Sequence, residues 1–113
     1  MSNRNKLTEK NLLRFWFAPD KNKMIVHLYN KSVLELEKGN PLIEDLKKLE
    51  HCNSFKKLAG KLINKNMIDE IKLEINLIKQ AEKCNIKIFM KNGEFFEIKN
   101  QDIAILDQIE PLT

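Results

Sequence analysis

Glycine, cysteine and arginine are all scarce in this chain, and each shortage carries an argument. Gly39, Gly60 and Gly93 are the only glycines, too few and too scattered for a loop that cradles nucleotide phosphates. Cys52 and Cys84 are the only cysteines. They form no Cys/His cluster of metal-ligand spacing, so free buried thiols in a reducing compartment are expected rather than a metal site or a single disulfide. No apolar run approaches the roughly eighteen residues of a membrane-spanning helix. The first ten residues are polar and lack the pattern of a secretory leader, so a cytoplasmic protein with no membrane association is expected. No repeat or low-complexity linker divides the 113 residues, which read as one domain with residues 1–11 as a flexible arm.

Arginine is the most informative shortage. There are eighteen Lys but only two Arg, Arg4 and Arg14, within a net charge of +4. Residues that clamp phosphates or read bases favour the bidentate guanidinium fork. The excess of Lys comes with thirteen Asn and thirteen Ile, the amino acids of A/T-rich codons. Overall basicity therefore carries no argument for nucleic acid by itself. What the chain has in quantity is aliphatic residues, 42% hydrophobic with fifteen Leu and thirteen Ile. That suffices for a core without disulfide or metal staples.

Residues 66–85 are the longest periodic stretch, and they admit two periods. Ile68, Ile71, Ile75 and Ile78 follow helical spacing, whereas Ile71, Leu73, Ile75 and Leu77 alternate with polar residues as a strand does. Asn66 as a cap, Asp69 and Glu70 in the first turn and Lys83 in the last favour a long central helix. Residues 12–17 and 23–29 are β-rich around the turn sequence Pro19-Asp20-Lys21-Asn22. They predict a hairpin with Phe17 opposite Met24, Phe15 opposite Val26 and Leu13 opposite Leu28, one core face throughout. Short helices are expected from Ser32 to Gly39, after Pro41, and from Ser54 through Phe55, Leu58, Leu62 and Ile63. Asn92-Gly93 predicts a second hairpin. A three-residue loop that pairs Phe89 with Phe95 puts Ile86, Ile88, Met90, Phe96 and Ile98 on one face. Residues 102–109 fit a terminal helix capped by Asn100 or an edge strand. The expected fold is α+β: two β-hairpins in one antiparallel sheet, flanking a helical middle with a long central helix.

Two groups of side chains are candidate sites. Arg14, Trp16, His27 and Tyr29 share the outer face of the first hairpin, where aromatic rings beside a cation suit a protein-binding hot spot or a single-stranded nucleic-acid platform. Lys57, Lys61 and Lys65 recur every fourth residue and form a cationic stripe if their segment is helical. Three helices and a hairpin follow the order of a winged helix, and SFKKLAGKL resembles the first helix of a helix-turn-helix, although Asp69 stands where that motif wants an apolar residue. Asp20 with Glu70 and Lys72 make a thin case for a metal-dependent nuclease, and His51-Cys52 has no third group beside it. The sequence thus points to a small non-catalytic, regulatory binding protein with a protein partner and no cofactor. Nucleic acid is the alternative partner, and homo-oligomerisation stays open.

Overall fold

The computed structural model describes residues 6–78 and 81–113. Two antiparallel sheets dominate, and α1 (Leu42–Glu50) is the only α-helix among the described residues. The first sheet contains β1 (Leu12–Ala18), β2 (Lys23–Leu28), β3 (Val33–Glu37), β4 (Phe55–Leu58) and β5 (Lys61–Asn64), in the order β3-β2-β1-β5-β4. The second contains β6 (Ile68–Ile78), β7 (Ala81–Met90) and β8 (Phe95–Asp102), with β7 in the middle. The expected α+β fold with a long central helix is therefore wrong, and so is the single sheet shared by both hairpins.

The physical reasons are local. The cap signal near Asn66 is real, but a single 3₁₀ turn, Lys65–Met67, uses it up: the Asn64 side chain accepts from the Asn66 N–H. Beyond that turn the period of two wins. Ile71, Leu73 and Ile75 of β6 face Ile88, Ile86 and Cys84 of β7, so each β-branched or apolar side chain gains a cross-strand partner. The helix expected from Ser54 is instead the β4–β5 hairpin. Ala59 and Gly60 both adopt left-handed φ, 51° and 81°, the requirement of a two-residue type I′ turn. Phe55 and Leu62 face one side of this hairpin while Leu58 and Ile63 face the other. With both faces buried, strand alternation is invisible and a helical spacing arises by coincidence. Ser32 likewise precedes a strand and not a helix. Leu34 and Leu36 of β3 pair with Val26 and Met24, alternating with polar residues.

Other expectations hold. The helix after Pro41 forms, with the Leu42 N–H bonded to the Asn40 side chain. The second hairpin pairs Phe89 with Phe95 and Ile88 with Phe96, with Gly93 at φ 93° in its turn. In the first hairpin Phe17 meets Met24 and Phe15 meets Val26, but a bulge intervenes between Leu12 and Arg14, so that Leu12 and not Leu13 opposes Leu28. Leu12 therefore joins the helix side, while Leu13 and Arg14 lie together on the other. The chain ends in 3₁₀ turns, Ile103–Gln108 and Glu110–Leu112, the first capped by Asp102 rather than Asn100. Of the arm expected over residues 1–11, residues 1–5 lie outside those described. Leu7 is buried, and its N–H donates to Asp45 on α1.

Two cores result, one on each face of the five-stranded sheet. On one face α1 bridges the sheet's two edges, and Leu42, Ile43, Leu46 and Leu49 cover Phe15, Val26, Phe55 and Leu62. On the other, Leu13, Leu58 and Ile63 meet Ile86, Ile88 and Met90 of the second sheet and Ile109 and Leu112 of the terminal turns. Phe17, expected in the core, is 50% exposed because it lies past the end of α1's cover.

Candidate functional site

On the face of the first sheet that meets the second, Arg14, Trp16 and His27 stand half-buried, Arg14 in contact with the second sheet. Period-two geometry puts Arg14 and Trp16 on the same side of β1, with Ile63 and His27 as the partners of Arg14 on β5 and β2. The Trp16 and His27 rings stack at 5.2 Å between centroids and 19° between planes. From β5, on the opposite side of β1, the Lys61 ammonium lies 4.2 Å from the centre of the Trp16 ring. The Arg14 guanidinium is 5.2 Å from Trp16 and 3.8 Å from the ring of Phe96 on β8. Arg14 thus joins the two sheets, sharing its cation–π contacts between them.

The electrostatics of this cluster are one-sided. No carboxylate comes within 4 Å of Arg14 or Lys61 among the described residues, where the ion pairs are those of Lys23 with Glu35 and Glu37 and of Lys47 with Glu44. Burial depresses the pKa of Arg14, with the field of Glu94 partly opposing it. Lys61 is depressed by burial first and by Arg14 second. His27 falls below its ordinary value through burial, then Arg14, with Glu94 acting in the opposite direction. Three basic groups held together half out of water raise one another's cost of staying charged.

Trp16 is the only tryptophan, which makes this cluster directly observable. Protonated imidazole quenches indole emission, so the fluorescence should titrate with His27, at a midpoint below the ordinary histidine value of about 6.5. Arg14→Gln should raise that midpoint, because it removes a nearby positive charge, and Glu94→Gln should lower it. A midpoint at or above the ordinary value would contradict the arrangement. The sign for stability follows from the same depression. The neutral imidazole favours the fold fully above the unfolded pKa, and this contribution shrinks as pH falls from there toward the folded value.

The other expected site residues do not converge here. Tyr29 follows the end of β2 and is exposed, and its backbone carbonyl accepts from the Asn92 side chain in the β7–β8 turn. Lys57 pairs with Leu62 and Lys61 with Leu58, so the two lysines point to opposite faces of the hairpin. Lys65 begins the 3₁₀ turn after β5. The cationic stripe therefore does not exist, because the helix that would have aligned it is a hairpin; only Lys61 reaches the Trp16 cluster. The winged-helix order disappears with the same helices.

Asp20 lies in the β1–β2 turn and Glu70 and Lys72 on β6, in different sheets. No group of three or more His, Cys, Asp or Glu is placed to hold a metal among the described residues. The Cys52 thiol contacts Glu9 at 3.0 Å, while His51 is exposed. Two features escaped the sequence reading. Phe96, on the predicted core face, also receives Arg14. An apolar hollow of about 600 Å³ opens at the other end of the helix-covered face, lined by Phe17, Met24, Leu36 and Ile43. Nothing local to residues 55–65 marks the place of Lys61, because both faces of that hairpin are buried; nothing local signals the hollow. No helix is long and apolar enough to cross a membrane among the described residues. No protein-family model matches this chain, and no curated protein matches it.

Proposed function

We propose that this is a non-catalytic binding protein whose partner is a protein presenting an acidic group to Arg14 and Lys61. The observation that supports this reading is the pair of cations packed on Trp16 with no carboxylate in ion-pair range among the described residues. An incoming carboxylate would restore the field that burial has removed and relieve the repulsion among Arg14, Lys61 and His27. Trp and Arg are also the residues that most often carry binding energy at protein interfaces.

Direct nucleic-acid binding has less in its favour. It needs several phosphate contacts along a track and free ring faces for bases. The cluster offers one compact group of cations around a Trp ring already in contact with His27 and Lys61.

The test is a pull-down from host extract, with and without nuclease, using wild type and the Arg14→Gln/Lys61→Gln double variant. A protein captured by wild type after nuclease treatment, and bound at least about tenfold more weakly by the double variant, is the expected result. Affinity should decline gently with salt. A steep decline, near −0.7 in log K per log salt for each phosphate contacted, together with loss of the partner on nuclease treatment, would turn the proposal toward single-stranded nucleic acid.

A further inference from the structure

On the opposite side of the second sheet from β8, β6 is an edge strand eleven residues long, with no further strand paired to it among the described residues. A long exposed edge strand is a template for pairing, and proteins ordinarily blunt it with a bulge, a proline or an inward charge. The one irregularity in β6 lies between Ile68 and Glu70, at its start. From Ile71 to Ile75 the strand is regular. Leu73 and Ile75 are 45% and 48% exposed, although they continue the apolar face that includes buried Ile86 and Cys84.

The charges on the other face of β6 show what would pair with it. Lys72 sits directly opposite Lys87 of β7, a like-charged cross-strand pair. Lys87 has Glu97 on β8 as its cross-strand partner; Lys72, at the edge, has no acid across from it within its own sheet. Glu74 sits opposite Asn85 and accepts a hydrogen bond from it at 3.0 Å, so its charge too is unmatched there. Neither residue forms an ion pair among the described residues.

We propose that β6 is a homodimer edge, with two copies pairing antiparallel about Leu73 so that their three-stranded sheets become one continuous sheet. In that register Lys72 of each copy faces Glu74 of the other, twice by symmetry. Ile71 faces Ile75, and Leu73 faces Leu73. The neighbouring registers are worse, two of them on the same chemistry. Centring on Lys72 sets Lys72 against itself and Glu70 against Glu74. Centring on Glu74 opposes two Glu74 carboxylates. Centring on Ile71 would pair Glu70 with Lys72, but it sets Asp69 against Leu73 and runs into the bulge. A shift by half a step mates the polar face with the apolar one. The strand is self-complementary at Leu73, which is what an isologous interface requires.

The experiment is sedimentation of the whole chain over a concentration series. Wild type should dimerise reversibly. Lys72→Glu and Glu74→Lys should each weaken the dimer about tenfold or more, since each creates two like-charged pairs. The double swap K72E/E74K should recover most of the loss, because the register stays complementary. Lys72→Glu also replaces the Lys72–Lys87 repulsion by an attraction, so its thermal midpoint in the monomer should not fall, which separates lost pairing from lost folding. A wild type that stays monomeric throughout overturns the proposal and leaves the strip to a strand of different sequence. A dimer indifferent to Lys72→Glu, or one that the double swap fails to restore, overturns it as well.

Discussion

Asn64→Leu is expected to cost this protein about 3 kcal/mol or more, because it strips partners from three backbone groups, the buried Leu12 carbonyl among them. Asn64 is fully buried at the end of β5. Its side-chain amide donates to the carbonyl of Glu9 at 2.7 Å and to that of Leu12 at 2.8 Å, while its oxygen accepts from the Asn66 N–H at 3.1 Å. Leu12 is where the β1 bulge departs from regular pairing, so its carbonyl depends on this side chain. Leucine fills similar volume and satisfies none of the three. The neighbouring bonds amplify the effect. Glu9 accepts from the Ser54 hydroxyl at 2.7 Å and contacts the Cys52 thiol, and Asn66 donates to Ser54. This network holds the Glu9 carboxyl below its usual pKa, through Ser54 first and Cys52 second. The stability linked to that depression is present above the unfolded pKa and is lost as pH falls through the folded one. Urea unfolding followed by the single tryptophan gives the number; a loss under about 1 kcal/mol would mean that water reaches these groups and the network is not closed.

That network also shows what a sequence conceals. Asn64 and Asn66 look like helix punctuation, and the capping chemistry is real, but it closes a single 3₁₀ turn and ties residues 9–12 to the end of β5. Local signals that require only neighbours in sequence were legible: the Pro19–Asn22 turn, Pro41 opening α1, and Gly93 setting the register of the β7–β8 hairpin. Signals that depend on what lies across a sheet were not. Residues 68–78 carry both periods, and β7 settles the choice by offering Ile88, Ile86 and Cys84 as cross-strand partners. Residues 55–64 are covered by α1 on one side and the second sheet on the other, so their alternation is erased.

The candidate site was half legible for the same reason. Arg14, Trp16 and His27 could be placed on one face because they belong to a single hairpin with a readable turn. Lys61 and Phe96 reach that face only through pairing of β5 with β1 and the docking of the second sheet. The lysine stripe failed because its spacing had meaning only on a helix. Once the segment folds back at Ala59 and Gly60, Lys57 and Lys61 point to opposite faces and Lys65 lies beyond the hairpin.

Ile63→Ala is the sharpest test of how the two sheets meet, with an expected cost of about 3–4 kcal/mol. Ile63 is fully buried on β5, on the face turned toward the second sheet, where it packs with Leu13, Leu58, Ile86 and Ile88. It is also the cross-strand partner of Arg14. Truncation leaves a cavity between two sheets that are each held rigid by their own hydrogen bonds, so little relaxation can refill it. Phe17→Ala supplies the control: a larger side chain is removed, but from a half-exposed position beyond α1, and the cost should stay within about 1 kcal/mol. The ordering of these two costs opposes simple hydrophobic bulk and follows from the sheet arrangement alone. A second readout links packing to the cation cluster. Arg14 spans from Trp16 on the first sheet to Phe96 on the second, so loosening the seam at Ile63 should shift Trp16 emission even in the native state, whereas Phe17→Ala should leave it nearly unchanged. If Phe17→Ala costs more than Ile63→Ala, or if emission shifts only with the former, the seam does not lie at Ile63 and Arg14 is not the group that joins the two sheets.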